Sequence, residues 1–428
     1  MDRLPPLAGV FFLMQENQLI PHLFRTEYRK IISVLCKSFG LEHIEIAEDI
    51  ASDTFLLASE TWGQRGLPKN PAAWLYAVAK NKTKDLLRHD AIFAGKVASV
   101  IRLSASNATE HDIDLSNENI YDSQLQMMFA ICDPCISAEA QVGLALNILC
   151  GFGAEEIAVA FLTNKEVIYK RLSRAKDKLK AQKIEIALPP PAEIPQRLEN
   201  VLTAMYLLFS EGYYSSLGDL TVRKDLCLEA MRLTFLLTEN SATNTPAVNA
   251  LLSLMCFHAS RFEARLNQKG DIVLYEDQDT GLWNQELISR GTNFLNLAST
   301  GDRLSRYHLE AAIAYWHTHK EDAGSKWENI LQLYNRLLQV AYSPVAALNR
   351  TYALSKANGK AEAIAEALKL KLEGDHLYHL LLGELYRDND PRQSLVHLQT
   401  AFQLSRSVGE KNNIAGKIDQ CKRELSCG

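Results

Sequence analysis

The stretch Ala154–Lys183, AEEIAVAFLTNKEVIYKRLSRAKDKLKAQK, limits what this chain can fold into more than any other. It reads as two short helices joined by a tight connection. Ile157, Ala158 and Phe161 give the first an apolar side, and Val167, Ile168, Leu172, Ala175 and Leu179 give the second a stripe at helical spacing. The opposite side of the second helix carries Lys165, Lys170, Arg171, Arg174, Lys178 and Lys180. A helix pair in which only the second member is basic on its exposed side is the pattern of a helix-turn-helix aimed at DNA phosphates. A solvated amphipathic helix carries the same pattern, so the remainder of the chain has to decide between them.

At 428 residues there is room for two to four domains, each with its own core. No apolar run approaches the about 18 residues of a membrane span. The N-terminus MDRLPPLAGVFFLMQENQ has two prolines and no small-residue cleavage site, which argues against a signal peptide. A net charge of −5 excludes a general nucleic-acid binder, so any DNA contact must come from local basic faces. The eight cysteines lack framework spacing, as in a reduced cytoplasmic protein. Cys132-Asp-Pro-Cys135 is the one close pair; zinc would need two further ligands, which leaves a redox pair or incidental buried thiols. No cofactor or metal is expected.

Between Pro21 and Arg88 the periodicity predicts a compact helical unit. HLFRTEYRKIISVLCKSFG places Leu23, Ile31, Ile32, Leu35 and Phe39 on an apolar side, with Gly40 as its stop. IEIAEDIASDTFLLASETW turns Ile46, Ile50, Phe55, Leu57 and Ala58 inward and Glu45, Glu48, Asp49, Asp53 and Glu60 outward. GQRGLPKNP is a loop, and Pro71 opens a third helix that packs Trp74, Leu75, Val78, Leu86 and Leu87 and carries Lys80, Asn81, Lys82, Lys84 and Arg88 on a basic side. Cations beside an aromatic suit single-stranded nucleic acid, although Trp74 is equally readable as core. Residues 93–120 lose periodicity and end in an acidic, Asn- and Ser-rich linker. Helices resume with SQLQMMFAICD and SAEAQVGLALNILCGF, the latter capped by Ser137, and LPPPAEIP (Leu188 to Pro195) marks the clearest domain boundary.

The run EDIASDTFLLASETWGQRGLPKNPAAWLYAVAKNKTKDLLRHD resembles region 2 of sigma-70 family factors of the extracytoplasmic-function group, and AEEIAVAFLTNKEVIYKRLSRAKDKLK resembles region 4. The two occur in the family's order across an acidic linker. The resemblance implies an all-α chain: region 2 over residues 15–92, a linker at 93–120, a helix-turn-helix region 4 over 121–186, a Pro-rich linker at 187–195 and a helical domain over 196–428.

It also implies roles and partners. Region 2 of the family docks on core RNA polymerase through its second helix, which maps onto Glu48, Asp49, Asp53 and Phe55, an acidic exterior suited to a basic surface. The next helix and the loop before it open the −10 element, which maps onto Trp74, Lys80, Asn81, Lys84 and Arg88. Region 4 reads the −35 element, here through Lys165, Glu166, Tyr169, Lys170, Arg171, Arg174 and Lys178. Two departures stand out. Leu162-Thr163-Asn164 replaces a turn that carries Gly in many members, which makes Asn164 the candidate N-cap, and Lys80 and Lys82 stand where Arg is more usual.

The C-terminal half reads as helical throughout. RLENVLTAMYLLFSEGYYSS ends at a Glu211-Gly212 turn, and DQDTGLWNQELISRG is a polar, Trp-bearing connection. SPVAALNRTYALSKANGKAEAIAEALKL and HLYHLLLGELYRDNDPRQSLVHLQTAFQLS resemble tetratricopeptide repeats, which make concave surfaces for a protein or peptide. The layout resembles the subgroup with a tetratricopeptide-like extension. No catalytic constellation emerges: Glu276, Asp277 and Asp279 with His258 and Arg261 are more simply turn and cap residues, so the chain is expected not to be an enzyme. A DNA-binding regulator with a repeat-domain sensor, or a scaffold built on the repeats, are the rival readings.

Overall fold

A computed structural model describes residues 19–92, 113–161, 163–214, 220–265, 273, 275–320, 325–405 and 408–427. Among them all regular structure is helical and no strand occurs. The chain divides into two compact units, residues 1–208 and 209–428.

The first unit begins with α1 (Leu19–Phe39), α2 (Ile44–Arg65) and α3 (Pro71–Ile92). Along α1, Ile31, Ile32, Val34, Leu35 and Cys36 are all at most 1% exposed. Consecutive burial of this kind means a helix covered on every side, and α1 does pack against α2, α3 and a fourth helix, α4 (Asn117–Ile131). Gly40 ends α1 at φ 87°, a left-handed geometry that favours glycine, and its N–H returns to the Cys36 carbonyl at 2.8 Å. On α2 the buried positions Ile44, Ala47, Ile50, Ala51, Thr54, Phe55, Ala58 and Trp62 follow the helical period. Leu57, expected inward, is 38% exposed beside Leu56, whereas Phe55 is buried with its ring edge-on to Phe24 at 5.0 Å. Phe55 therefore belongs to the core and not to a partner surface. Pro71 stands at the start of α3 as expected, and the Asn70 side-chain oxygen accepts the Ala73 N–H at 3.0 Å.

The expected 93–120 linker is shorter than its pattern suggested. Ile113 is already buried and α4 starts at Asn117, capped by Ser116; residues 93–112 lie outside the described residues. Then come α5 (Ala138–Leu144), capped by Ser137, a π-helical turn at Ala145–Leu149, α6 (Ala154–Ala160) and α7 (Lys165–Ala181). The largest departure concerns the next helix, α8 (Ile194–Tyr214). The two units divide within it, after Leu208, and not at the Pro-rich stretch 187–195. Ile194, Leu198, Val201 and Leu202 are buried, and the Arg197 guanidinium lies 3.0 Å from the Asp133 carboxylate and donates to the Phe129 carbonyl at 2.9 Å. The helix also continues through Gly212 to Tyr214 where a turn was expected.

The second unit continues with α9 (Leu220–Thr238), α10 (Pro246–Ala259), α11 (Gln285–Ala298), α12 (Arg306–Trp316), α13 (Lys326–Val340), α14 (Pro344–Ala357), α15 (Lys360–Lys369), α16 (His376–Tyr386), α17 (Pro391–Leu404) and α18 (Val408–Cys427). From α11 onward each helix packs on its successor in the chain. α10 and α11 approach closely. A Cβ on Gly291 would stand 2.7 Å from the Phe257 ring, and the Ser253 hydroxyl donates to the Gly291 carbonyl at 2.7 Å. Gly291 is thus a packing residue inside α11 and not the end of a connection. Gly291→Ala is expected to destabilise the second unit by about 2 kcal/mol, because both elements at the clash are rigid. Thermal denaturation checks this; an unchanged Tm would show that Phe257 moves aside freely.

Candidate nucleic-acid interface

Asn164 starts α7 as its position predicted: its side-chain oxygen accepts the Val167 N–H at 2.9 Å. Upstream, the Thr163 N–H closes on the Ala158 carbonyl at 2.9 Å, so the turn is hydrogen-bonded without a glycine; Leu162 lies outside the described residues. Ile168, Leu172, Ala175 and Leu179 are buried and seat α7 on α5 and α6. Each buried Leu or Ile contributes about 2 kcal/mol. Val167, placed on that stripe from the sequence, is 39% exposed and faces the other way. Asn164→Ala should cost about 1 kcal/mol and fray the first turn of α7. Amide hydrogen exchange at Val167 and Ile168 measures it, and Asn164→Asp should retain protection.

With one side fixed inward, the basic residues of α7, with Tyr169, fall into two stripes. Lys170, Arg171, Arg174 and Lys178 line an open groove of about 410 Å³ with Ile136, Ser137, Ala140 and Val167. Lys170, Arg174 and Lys178 are exposed, and the Arg171 guanidinium sits 5.7 Å from the Phe161 ring centre. The other stripe, at spacings of four, seven and four, is Lys165, Tyr169, Lys176 and Lys180. Lys165 is ion-paired with Glu155 and lies 5.8 Å from the ring centre of Tyr169, which is 55% exposed; Glu166 is exposed in the first turn. Lys176 Nζ reaches Glu48 Oε1 at 2.6 Å, and Lys180 Nζ reaches Glu45 Oε1 at 2.5 Å. Burial pushes the Glu45 carboxyl up, but the pairing with Lys180 outweighs it and leaves it below its ordinary value. These pairings cross more than a hundred residues of chain, and no local pattern announces them.

On α3, Leu75, Ala79 and Thr83 face the core. Trp74 and Asn81 stand seven residues apart on another side; Asn81 is exposed, and Trp74 is half-buried with its ring 5.4 Å from that of Trp62. Lys80 and Lys84 are half-buried, and the Arg88 side chain lies outside the described residues. Of the residues placed at a polymerase surface, Asp49 and Asp53 are exposed, with Asp53 at 3.2 Å from Lys82. Glu48 is engaged by Lys176, and Phe55 is in the core.

Burial holds the paired thiols protonated: Cys132 is pushed up to about 12 and Cys135 to about 11, where thiolate reactivity at neutral pH is suppressed. In the second unit the acidic and basic members of the group read as turn residues go separate ways. Glu276 accepts from Tyr352 at 2.9 Å and pairs with Lys356 at 3.0 Å, while Asp279 caps a short turn through the Gly281 N–H. No local pattern announces the cation–aromatic cluster nearby. Arg265 lies 3.8 Å above the Tyr213 ring, Arg261 lies 5.5 Å from that of Tyr275, and Lys326, 1% exposed, donates to the His319 carbonyl at 2.6 Å. His317 packs edge-on to Tyr275 and Trp327, and burial drags its pKa to about 3. A group neutral in the fold but basic when unfolded contributes its full stability above about pH 6.5 and loses it as pH falls toward 3. The Tm of the second unit's transition should fall over that window, and His317→Gln should flatten the slope.

The family of unknown function DUF6596 matches residues 197–299, from the start of α8 to the end of α11. Over 390 residues the chain is 33% identical to an uncharacterized protein of Rhizobium meliloti (strain 1021), covering 89% of this chain and 91% of that one. The chain belongs to the same family as that protein. No solved structure matches it.

Proposed function

We propose that the chain is a promoter-specificity subunit of RNA polymerase, with a C-terminal helical domain for control or partner contacts. The observation that carries this reading is α7: a helix capped by Asn164, seated on α6 by a buried stripe and presenting Lys170, Arg174 and Lys178 to solvent beside an open groove. That is a helix fitted to phosphates and guanine edges in a major groove. Two further surfaces support it. Asp49, Asp53 and the exposed Leu56 on α2 suit a basic, partly apolar partner, and Trp74 with Asn81, Lys80 and Lys84 on α3 suits an opened strand. In this reading α7 addresses the −35 element, α3 the −10 element and α2 the polymerase core. The chemistry is the polymerase's own; this chain is not an enzyme and works in the cytoplasm.

For the second unit we infer a tetratricopeptide-like array, because α13 to α17 pack in sequence order and Gly383 lets α16 and α17 approach closely, a Cβ there falling 2.8 Å from Leu398. Such an array would take a protein or peptide.

Run-off transcription with core polymerase and a promoter library tests the reading. The full chain should program initiation, and Arg174→Glu with Lys178→Glu should abolish it at promoters that need an upstream element, with core binding by Asp49 intact. Failure of the full chain to bind core polymerase would sink the proposal. Tight duplex binding without polymerase would favour a conventional regulator instead.

A further inference from the structure

We infer that Arg261, in the second unit, anchors a binding site for a small planar carboxylate whose flat body lies among Tyr213, Tyr275, Trp283 and His317. The site stands independently of the DNA reading of α7. Arg261 lies two residues beyond the end of α10, and the Asn284 N–H donates to the Ser260 carbonyl at 2.8 Å, which brings the Trp283 connection beside it. Tyr275 occupies the middle. Its ring centre is 5.5 Å from the Arg261 guanidinium, 6.1 Å from the Trp283 ring and 5.1 Å from the His317 ring. Arg261 is 9% exposed, and among the described residues no carboxylate pairs with it. The acids near it in the chain are engaged elsewhere or lie in solvent: Glu263 pairs with Lys224, Glu276 pairs with Lys356, Asp279 caps a turn and Asp277 is exposed. A buried cation without a counter-charge is strongly unfavourable, and contact with tyrosine faces replaces only part of its lost hydration.

The unmet groups define the ligand. Arg261 Nε has no hydrogen-bond partner, and Nη2, on the same edge of the guanidinium, has the Tyr213 hydroxyl at 3.5 Å, the limit of a hydrogen bond. That edge is the fork that grips both oxygens of one carboxylate. The Tyr213 hydroxyl, which accepts from the guanidinium, then donates to the nearer oxygen. Trp283 Nε1 and Gln278 Oε1, in residues 5% and 4% exposed, also lack partners, which leaves one donor and one acceptor for a hydroxyl or amide on the ligand's body. Arg265 holds the wall in place: it lies over the Tyr213 ring and donates to the Tyr213 carbonyl at 2.7 Å. Burial, then Arg261 and Lys326, keep His317 neutral, so it offers ring surface and not a second charge. Walls of this kind suit a flat apolar body better than a hydrated phosphate.

Isothermal titration of the full chain with 4-hydroxybenzoate should give saturable one-site binding, at least about tenfold tighter than acetate or inorganic phosphate. Arg261→Lys, which keeps the charge and loses the fork, should weaken that binding at least about tenfold. Trp283→Phe, which keeps a ring and loses the N–H, should weaken it about threefold. Arg261→Met separates binding from folding. Without ligand its second-unit Tm should equal or exceed that of the wild type, because a buried charge is gone; 4-hydroxybenzoate should raise the wild-type Tm and leave the variant's unchanged. No saturable binding of 4-hydroxybenzoate, or phosphate bound as tightly, overturns the proposal. So does binding undiminished in Arg261→Lys or in Trp283→Phe. A Tm lowered in Arg261→Met, with the wild type unmoved by 4-hydroxybenzoate, overturns it as well and makes the arginine a structural residue. Each result is read whether or not the chain binds DNA or polymerase.

Discussion

An α-helix has a fixed angular period, and once Ile168, Leu172, Ala175 and Leu179 of α7 are committed to the core, the direction of every other side chain on it is decided. The first unit is arranged around that commitment. The inward stripe separates two outward basic stripes, one bordering a groove with α5 and the other meeting the acidic edge of α2. A helix with eight cationic or aromatic polar positions and no such anchor would present a diffuse positive surface. This one presents two surfaces with different neighbours.

The same anchoring explains why acidic α2 and basic α7 find each other. α1 is enclosed by α2, α3 and α4, so the chain segments before and after residues 93–112 share one core. Once they do, charges that look like separate partner surfaces along the sequence become neighbours. Electrostatic complementarity evolved for an outside partner can be satisfied from within, at the strength that local burial allows. The overall charge of −5 does not bear on this; the local arrangement does.

Local features were legible in the sequence, and long-range ones were not. The period of α1, α2, α3 and α7, the Gly40 stop, the Pro71 start and the caps at Ser137 and Asn164 all rest on interactions within a few residues, and all are present. Errors begin where a helix has more than one packed side. Phe55 and Leu57 are apolar residues two positions apart on α2, and which of them meets the aromatic rings of α1 depends on where α1 lies. Val167 is a similar case, one position away from the true stripe. Gly212 and Gly291 read as breaks, yet each lies within a helix, and at Gly291 the missing side chain makes room for Phe257. The candidate interface was readable in composition; its division into two stripes, and the engagement of Glu48, required the fold.

The ion pair between Arg197 and Asp133 bears on how much of the chain the first unit needs in order to exist alone. Asp133 is 6% exposed, and its charge is compensated from a helix that starts only at the end of the proline-rich stretch. A fragment ending in the proline-rich stretch would keep every motif of the N-terminal half and still leave that carboxylate buried without its cation, a state that costs several kcal/mol. It would also uncover the apolar bed of Leu198, Val201 and Leu202. The N-terminal half is therefore not autonomous at its most obvious boundary. The start of this helix thus belongs to the fold of the first unit, and a cut at the prolines divides a core and not a linker.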